Sequence, residues 1–198
     1  VIATLEGRIV QRAILQVLQP HKKHPLHQKL GAIRDVNESP YGIGGTPKPY
    51  GGVTVGIKSI LNDMNDGFAF FFKSDIKAFF TKIDHEEVCQ FIYEQTKDDE
   101  IQKIFADGLD VELGNKDELA KYFELFPQNG VGVPQGSSLS AFSGNVLLYE
   151  FDRMLNTDST RTYRYIDDVI ILGRDNESVQ KARSEAIKWL KKKGMSLY

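Results

Sequence analysis

The sequence predicts an α+β fold in which one sheet carries helices packed on one face. Three observations support this prediction. An apolar, aromatic run over residues 68–76 is typical of a buried strand. Two β-rich runs, 161–166 and 169–172, flank Asp167 and Asp168 in the manner of a hairpin. Segments with helical periodicity separate these strands, so strands and helices can form two layers around one core.

The composition is that of an ordinary globular protein. The chain has 198 residues, of which 41% are hydrophobic and 26% charged, enough to bury one large core or two small ones. Cys89 is the single cysteine, which excludes a disulfide within the chain and favours a reducing, cytoplasmic location. The apolar run at 68–72 is too short to span a bilayer, and no basic-then-apolar leader opens the sequence. We therefore expect no association with a membrane.

Charge is distributed unevenly along the chain. The net charge is −2, but residues 1–60 contain eight Lys or Arg against three Asp or Glu, and the acidic excess lies in the remainder. A basic front and an acidic back suit a protein that binds phosphates with one part and metal ions with another. Chance asymmetry is the alternative, and charge alone does not decide between the two.

Helices are predicted where apolar residues recur at three- and four-residue spacing. The predicted segments are 9–18, 53–64, 86–95, two pieces within 97–126 broken near 108–114, 138–155 and 178–193. Pro20 ends the first of them, because proline cannot continue a helix. Residues 21–52 are rich in Gly, Pro, Lys and His, and they are predicted to be mostly loop.

The first motif that can carry chemistry is Asp75, which lies at the end of the predicted strand. A lone carboxylate at the end of a buried strand is unfavourable unless a partner offsets its charge. A metal ion is one such partner, and Lys73 or Lys77 is the alternative. This segment alone does not separate a catalytic role from a structural one.

The second motif is the pair of adjacent carboxylates at the predicted hairpin tip, Asp167 and Asp168. Aspartate is common in hairpin turns, so an ordinary turn is one interpretation. Apolar residues flank the pair on both sides, however, and adjacent like charges repel unless a cation offsets them. Carboxylate oxygens are hard ligands that suit Mg²⁺.

The third motif is the run Pro134-Gln135-Gly136 followed by serines and by Asn145. Pro-Gln-Gly favours a tight turn, and the serines can cap the helix that follows. Such a turn offers backbone N–H groups and an amide side chain to phosphate, sugar or base. An ordinary capped helix start is the alternative.

In this order and spacing the three motifs resemble the central blocks of reverse transcriptases. The matching elements are an Asp-Ile-x-x-Phe-Phe strand, a Pro-Gln-Gly turn with Ser and Asn downstream, and a Tyr-x-Asp-Asp hairpin. Residues 7–20 resemble the fingers helix of group II intron and related bacterial enzymes, and residues 194–197 resemble the next palm block. Ala141, where intron enzymes usually carry Pro, resembles retron, abortive-infection or other defence-associated groups.

The resemblance implies a right-hand polymerase fold with a ferredoxin-like palm and partial helical fingers. Residues 1–68 would form partial fingers, with 97–133 associated with them, and residues 69–96 and 134–198 would form the palm. The basic fingers strand would precede Val1 and the thumb would follow Tyr198, so the thumb is absent and this chain alone is expected to extend primers poorly. The sequence does not indicate an oligomeric state.

The resemblance also implies a reaction and its residues. RNA-directed DNA synthesis would use an RNA template, a DNA or RNA primer, dNTPs and two Mg²⁺ ions, for which Mn²⁺ can substitute. Asp75, Asp167 and Asp168 would be catalytic and bind metal, together with the Ile76 carbonyl. The remaining roles follow in two groups. The nucleotide-binding residues would be Phe80, Gln135 and Gly136, and the primer- or template-binding residues would be Tyr165, Ser137, Asn145, Arg8 and Arg12.

Other functional classes fit the sequence less well. The histidines at 21, 24 and 27 could bind zinc, but a solvated basic loop is the simpler interpretation. The segment 51–59 lacks the Gly-Lys-Ser order of a P-loop. A palm-fold cyclase would carry a Gly-Gly-(Asp/Glu)-Glu-Phe turn, which does not occur here. A catalytically idle palm that binds nucleic acid or acts as a scaffold remains the alternative function.

Overall fold

The computed structural model describes residues 4–110, 130–134 and 136–198. Its helices are α1 Leu5–Leu18, α2 Gly31–Asn37, α3 Val53–Asn65, α4 His85–Thr96, α5 Asp99–Leu109, α6 Ser138–Leu147, α7 Tyr149–Met154 and α8 Asn176–Lys192. Its strands are β1 Phe70–Lys77, β2 Thr160–Tyr165, β3 Asp168–Gly173 and β4 Ser196–Leu197. Short 3-10 turns cover Pro25–Lys29 and Phe79–Lys82. The predicted α+β fold is confirmed.

The chain divides into two compact units. One comprises Val1–Arg34 and Phe80–Leu147, and the other Asp35–Phe79 and Leu148–Tyr198. This division follows contacts within the chain, so the assignment of segments to fingers and palm stays a prediction.

The first unit is helical in its described part. α1, α4, α5 and α6 pack against one another. The rings of Phe105 and Phe142 meet edge to face, with their centroids 6.0 Å apart. Gly108 brings α5 close to its neighbours, because a Cβ there would crowd the side chains of Leu139 and Ile14. The Gln11 amide donates to the Gly108 carbonyl at 3.1 Å and fixes the same contact.

The second unit contains the sheet. Among its described residues the strands lie in the order β2-β3-β1-β4, and all neighbours are antiparallel. α8 packs across β1, β3 and β4, and Arg183 lies over the Phe72 ring. α7 packs against β2, and the Phe151 ring lies 5.4 Å from Trp189 on α8.

Among the described elements, α3 covers the opposite face of the sheet at its β2 side. The face that packs against α7 and α8 is called the covered face, and the opposite one the uncovered face. The Tyr163 hydroxyl donates to the Asp63 carboxylate at 2.5 Å, beside a cluster formed by Phe68, Tyr163 and Leu172. Residues opposed in antiparallel strands share a face, so Phe71, Lys73 and Asp75 lie on this second face.

Two details of the predicted elements were wrong. The β1 strand is not buried throughout, since Phe71 is 67% exposed on the uncovered face. The prediction that residues 21–52 are mostly loop is confirmed, although Ile33 and Val36 are buried and support the short helix α2. The single helix predicted for 138–155 is two, which Leu148 separates although the apolar periodicity continues across it. The helical piece predicted beyond 110 lies outside the described residues.

Candidate metal and nucleotidyl-transfer site

The hairpin between β2 and β3 turns through two residues, Ile166 and Asp167. Tyr165 pairs with Asp168 in the register, so Asp168 is the first residue of β3. Of the two adjacent aspartates, Asp167 is the one in the turn. Ile166 has a φ of 61°, in the left-handed region that β-branched residues avoid. The first central position of such a turn normally carries glycine. The residue before the acidic pair therefore has a strained backbone.

Asp75 and Asp168 face each other across β1 and β3. They are register partners, and their side chains share a hydrogen bond. That hydrogen bond, with smaller effects from desolvation and from the charge of Asp168, raises the pKa of Asp75. The Lys73 ammonium acts in the opposite direction, and its Nζ lies 3.3 Å from Asp168 Oδ1. The two carboxylates are thus close enough to share one cation.

Asp167 is joined to the same strand end through its backbone. The Ile76 N–H donates to the Asp167 carbonyl at 2.8 Å, and the Ile76 side chain is buried. Asp167 adds a weaker repulsion that also raises the pKa of Asp75. The hairpin turn is therefore fixed to the end of β1 by one hydrogen bond.

The chemistry of the oxygen donors fits a divalent cation. Two opposed carboxylates repel each other, and a cation between them relieves that repulsion. Carboxylate oxygens are hard ligands, which suit a divalent ion such as Mg²⁺. Within the described residues no three acidic, histidine or cysteine side chains gather into a ready metal site. The fit therefore rests on Asp75 and Asp168, with Asp167 next to them in the turn.

Two residues behind the turn were not identified from the sequence. The Arg164 guanidinium forms a two-pronged contact with the Asp152 carboxylate, at 2.9 Å from Nε and 2.7 Å from Nη2. The side chains are 1% and 2% exposed. The available signal was the alternation of Thr160, Thr162 and Arg164, which places Arg164 on the covered face of the sheet.

The other predicted site residues divide between the two units. Tyr165 lies in the sheet unit opposite Asp168, with its side chain partly exposed. The rest belong to the helical unit and are described within it. Gln135 lies outside the described residues.

Within the helical unit, the residues after the Pro-Gln-Gly run begin a helix as expected. The Ser137 hydroxyl accepts the Leu139 N–H at 3.2 Å, and Gly136 has a φ of 94°, which favours glycine. Asn145 is buried on α6. Arg8 and Arg12 are exposed on α1.

The two phenylalanines after β1 differ in burial. Phe79 is buried and Phe80 is half-buried, and both lie in a 3-10 turn rather than on the strand. Ala78 precedes them with a φ of 58°, which ends β1. The Phe80 carbonyl accepts the Val133 N–H at 2.7 Å, so the backbone there is tied to the segment before the Pro-Gln-Gly run.

The described helices include none that is both long and apolar enough to cross a membrane.

The sheet order, with acidic residues at the end of β1 and at the β2–β3 turn, is the architecture of a polymerase palm. The chain belongs to the reverse transcriptase family, because the family model for reverse transcriptase (RNA-dependent DNA polymerase) matches residues 1–198. That family consists of nucleotidyltransferases that act on nucleic acid.

Among solved structures, the apo telomerase of Candida tropicalis, truncated from its C-terminal domain, is similar to this chain. The TM-score is 0.50 and the identity 14%, and the match covers 96% of this chain but 38% of that one. At this identity the likeness shows the fold alone. Comparison with curated protein sequences gives no match.

Proposed function

We propose that this chain is the catalytic core of an RNA-directed DNA polymerase that adds dNTPs to a primer 3′-hydroxyl. The observation that supports this most directly is the pair of opposed carboxylates on Asp75 and Asp168, beside Asp167 in the adjoining turn. In the reaction the primer 3′-oxygen forms a bond to the α-phosphorus, and the bond to the bridging oxygen of the β-phosphate breaks. Pyrophosphate leaves.

The three aspartates would bind two Mg²⁺ ions, with the Ile76 carbonyl as a further oxygen ligand. Bound divalent ions would lower the pKa of the primer hydroxyl and offset charge on the leaving oxygens. The opposed positions of Asp75 and Asp168 would orient the ions, and Tyr165 would support the primer end. Mn²⁺ would substitute for Mg²⁺.

The remaining residues would bind substrates. Gln135 and Gly136 would contact the incoming nucleotide, and Ser137 and Asn145 the template or primer. The exposed guanidinium groups of α1 would bind phosphates of the template. RNA would be the template, and the primer DNA or RNA. Of the reverse transcriptase subgroups, the bacterial ones that serve introns, retrons or antiviral defence are the ones that the sequence resembles.

Primer extension by the full-length protein tests this proposal. We expect Asp75→Asn and Asp168→Asn to reduce Mg²⁺-dependent extension on RNA by at least about a hundredfold while the fold is retained. Asp158→Asn is the matched control, because Asp158 is an exposed aspartate of the same unit. Full activity in both site variants would contradict the proposal. A wild-type protein that binds primer–template but never extends it would support the idle-scaffold alternative.

Sugar selection is a second test of the same function. We propose that Phe80, the half-buried member of its pair, excludes the 2′-hydroxyl of a ribonucleotide. A buried hydroxyl without a partner costs roughly 1–3 kcal/mol, and steric overlap with the ring adds to this cost, so selection of at least about tenfold is expected. Phe80→Ala should accept rNTPs far better and keep dNTP incorporation. If Phe79→Ala loses the selectivity and Phe80→Ala keeps it, Phe79 is the residue that excludes the 2′-hydroxyl.

A further inference from the structure

The turn that carries Asp167 adopts an unfavourable backbone conformation. Ile166 has a φ of 61°, and a β-branched side chain makes that region costly. A strained conformation persists only when surrounding contacts determine it. The contacts that determine this one are therefore of functional interest.

Arg164 supplies the first of these contacts from within the covered face of the sheet. Its Nη1 donates to the Ile166 carbonyl at 2.9 Å, while Nε and Nη2 bind the Asp152 carboxylate. One planar guanidinium thus joins the strained residue to a carboxylate on α7. Only arginine has several donors in one rigid plane, so lysine could not make this set of contacts.

The loop before α3 supplies the second contact. The Arg164 N–H donates to the Tyr41 carbonyl at 2.8 Å, and the Ile43 N–H donates to the Arg164 carbonyl at 2.9 Å. Gly44 then lies directly against Ile166, and a Cβ at this position would clash with the Ile166 backbone nitrogen. The turn is consequently confined on its backbone side as well.

We propose that Asp152 and Arg164 are positioning residues, which hold the Ile166–Asp167 turn so that Asp167 and Asp168 stay in register with Asp75. This inference rests on the proposed function. Its consequence is that the pair determines how well the carboxylates bind divalent metal, although neither residue touches metal or substrate.

The geometry separates positioning from simple stabilisation. A buried ion pair can often be replaced by apolar residues of similar size without loss of stability. An apolar replacement cannot donate to the Ile166 carbonyl, however. The double variant Asp152→Leu/Arg164→Met therefore removes the support of the turn and keeps the interior filled.

The first measurement needs neither metal nor substrate. The Ile76 amide donates to the Asp167 carbonyl, so its hydrogen exchange reports on the turn. In the full-length protein we expect the double variant to exchange this amide at least tenfold faster, with exchange in the middle of β3 unchanged. Unchanged exchange at Ile76 in a folded double variant would overturn the inference.

The second measurement is Mn²⁺ binding. Binding is monitored by electron paramagnetic resonance, in which the signal of the free ion decreases as Mn²⁺ binds. We expect binding to weaken at least fivefold in the double variant and kcat to fall at least tenfold, with the KM for dNTP changed less than twofold. Tyr163→Phe is the matched control, since it removes a hydrogen bond to α3 on the same strand and none to the turn. Equal effects in control and double variant would overturn the inference.

Gly44→Ala covers the case in which the double variant does not fold. It displaces Ile166 while leaving the ion pair intact, and the same faster exchange and weaker Mn²⁺ binding are expected. Normal values in folded Gly44→Ala would overturn the inference. Asp168→Asn identifies the source of a failure. If that variant still extends primers, the proposed function fails, whereas a loss there with normal Arg164 variants refutes positioning alone.

Discussion

Two of the ion pairs that the β2–β3 hairpin makes lie on opposite faces of the sheet and differ sharply in their exposure to solvent. On the uncovered face Lys73 meets Asp168, and these side chains are 62% and 49% exposed. On the covered face Arg164 meets Asp152, and these are 1% and 2% exposed. The exposed pair can exchange partners with solvent ions at little cost. The buried pair cannot, because a single charge left there has no water to solvate it.

This difference indicates that the two faces of the sheet have different roles. The exposed side carries groups whose charges are only partly offset, which leaves them available to a cation. Burial raises the pKa of Asp152, and the charge and hydrogen bonds of Arg164 oppose that rise. The covered side therefore holds its charges permanently paired. Substitutions on the two sides should have opposite consequences for activity and for stability.

The largest expected effect is on activity, at the exposed side. Asp167→Asn should reduce Mg²⁺-dependent extension at least about a thousandfold, because it removes one of the three carboxylates proposed to bind metal. The melting temperature should change little, since asparagine keeps the size of the side chain in this half-buried turn. Single-turnover extension and thermal unfolding of the same preparation measure both quantities. Unchanged extension would refute a role for this carboxylate in binding metal.

The next effect is on stability, at the covered side. Asp152→Ala should lower the free energy of unfolding by about 3–5 kcal/mol, because it leaves the Arg164 charge buried and unpaired. Urea denaturation measures this loss, and Asp158→Ala is the control on the exposed surface. A loss below about 1 kcal/mol would mean that water reaches Arg164, and the comparison between the two sides would fail.

The sequence predicted the exposed side of the site better than the covered side. An apolar run that ends on Asp75 and a β-rich hairpin around Asp168 place both carboxylates at strand ends, and strand pairing then brings them together. The prediction shifted the turn by one residue, because Ile166 is an improbable turn residue and reads as strand. Nothing local requires its left-handed backbone.

The covered side depends on contacts between distant segments. Arg164 in an alternating strand gives no sign that its partner is Asp152, twelve positions earlier on a helix that the apolar periodicity joined to α6. The exposure of Phe71 was missed for a similar reason. A run of aromatic residues predicts burial, but no helix covers that part of the sheet in the described structure.

A smaller effect is expected when Lys73, the basic member of the exposed ion pair with Asp168, is replaced. Lys73→Met should lower the Mg²⁺ concentration needed for half-maximal extension by about two- to fivefold, because the ion no longer displaces an ammonium group. Lys77→Met is the matched control, four residues along the strand on the same face, where Lys77 lies over the Tyr198 ring. A higher Mg²⁺ requirement would instead indicate that Lys73 binds substrate phosphate.

The smallest effect concerns stability and pH at Asp75. Its pKa is raised, chiefly by the hydrogen bond to Asp168, so the folded protein binds this proton more tightly than the unfolded chain does. The resulting stabilisation is present at low pH and is lost as pH rises through the raised pKa. Asp75→Asn should therefore melt slightly higher than the wild type at pH 7 when EDTA is present. The difference should shrink below about pH 4, where the wild-type carboxyl is also neutral.

Divalent metal then distinguishes the electrostatic cause from any other. Addition of Mg²⁺ stabilises only the protein that binds it, so the advantage of Asp75→Asn at pH 7 should narrow or reverse. If the higher melting temperature of Asp75→Asn depended on neither pH nor Mg²⁺, the cause would be better packing of the asparagine. A variant less stable than the wild type at pH 7 would show that the opposed carboxylates do not repel, and that the exposed side is as well compensated as the buried one.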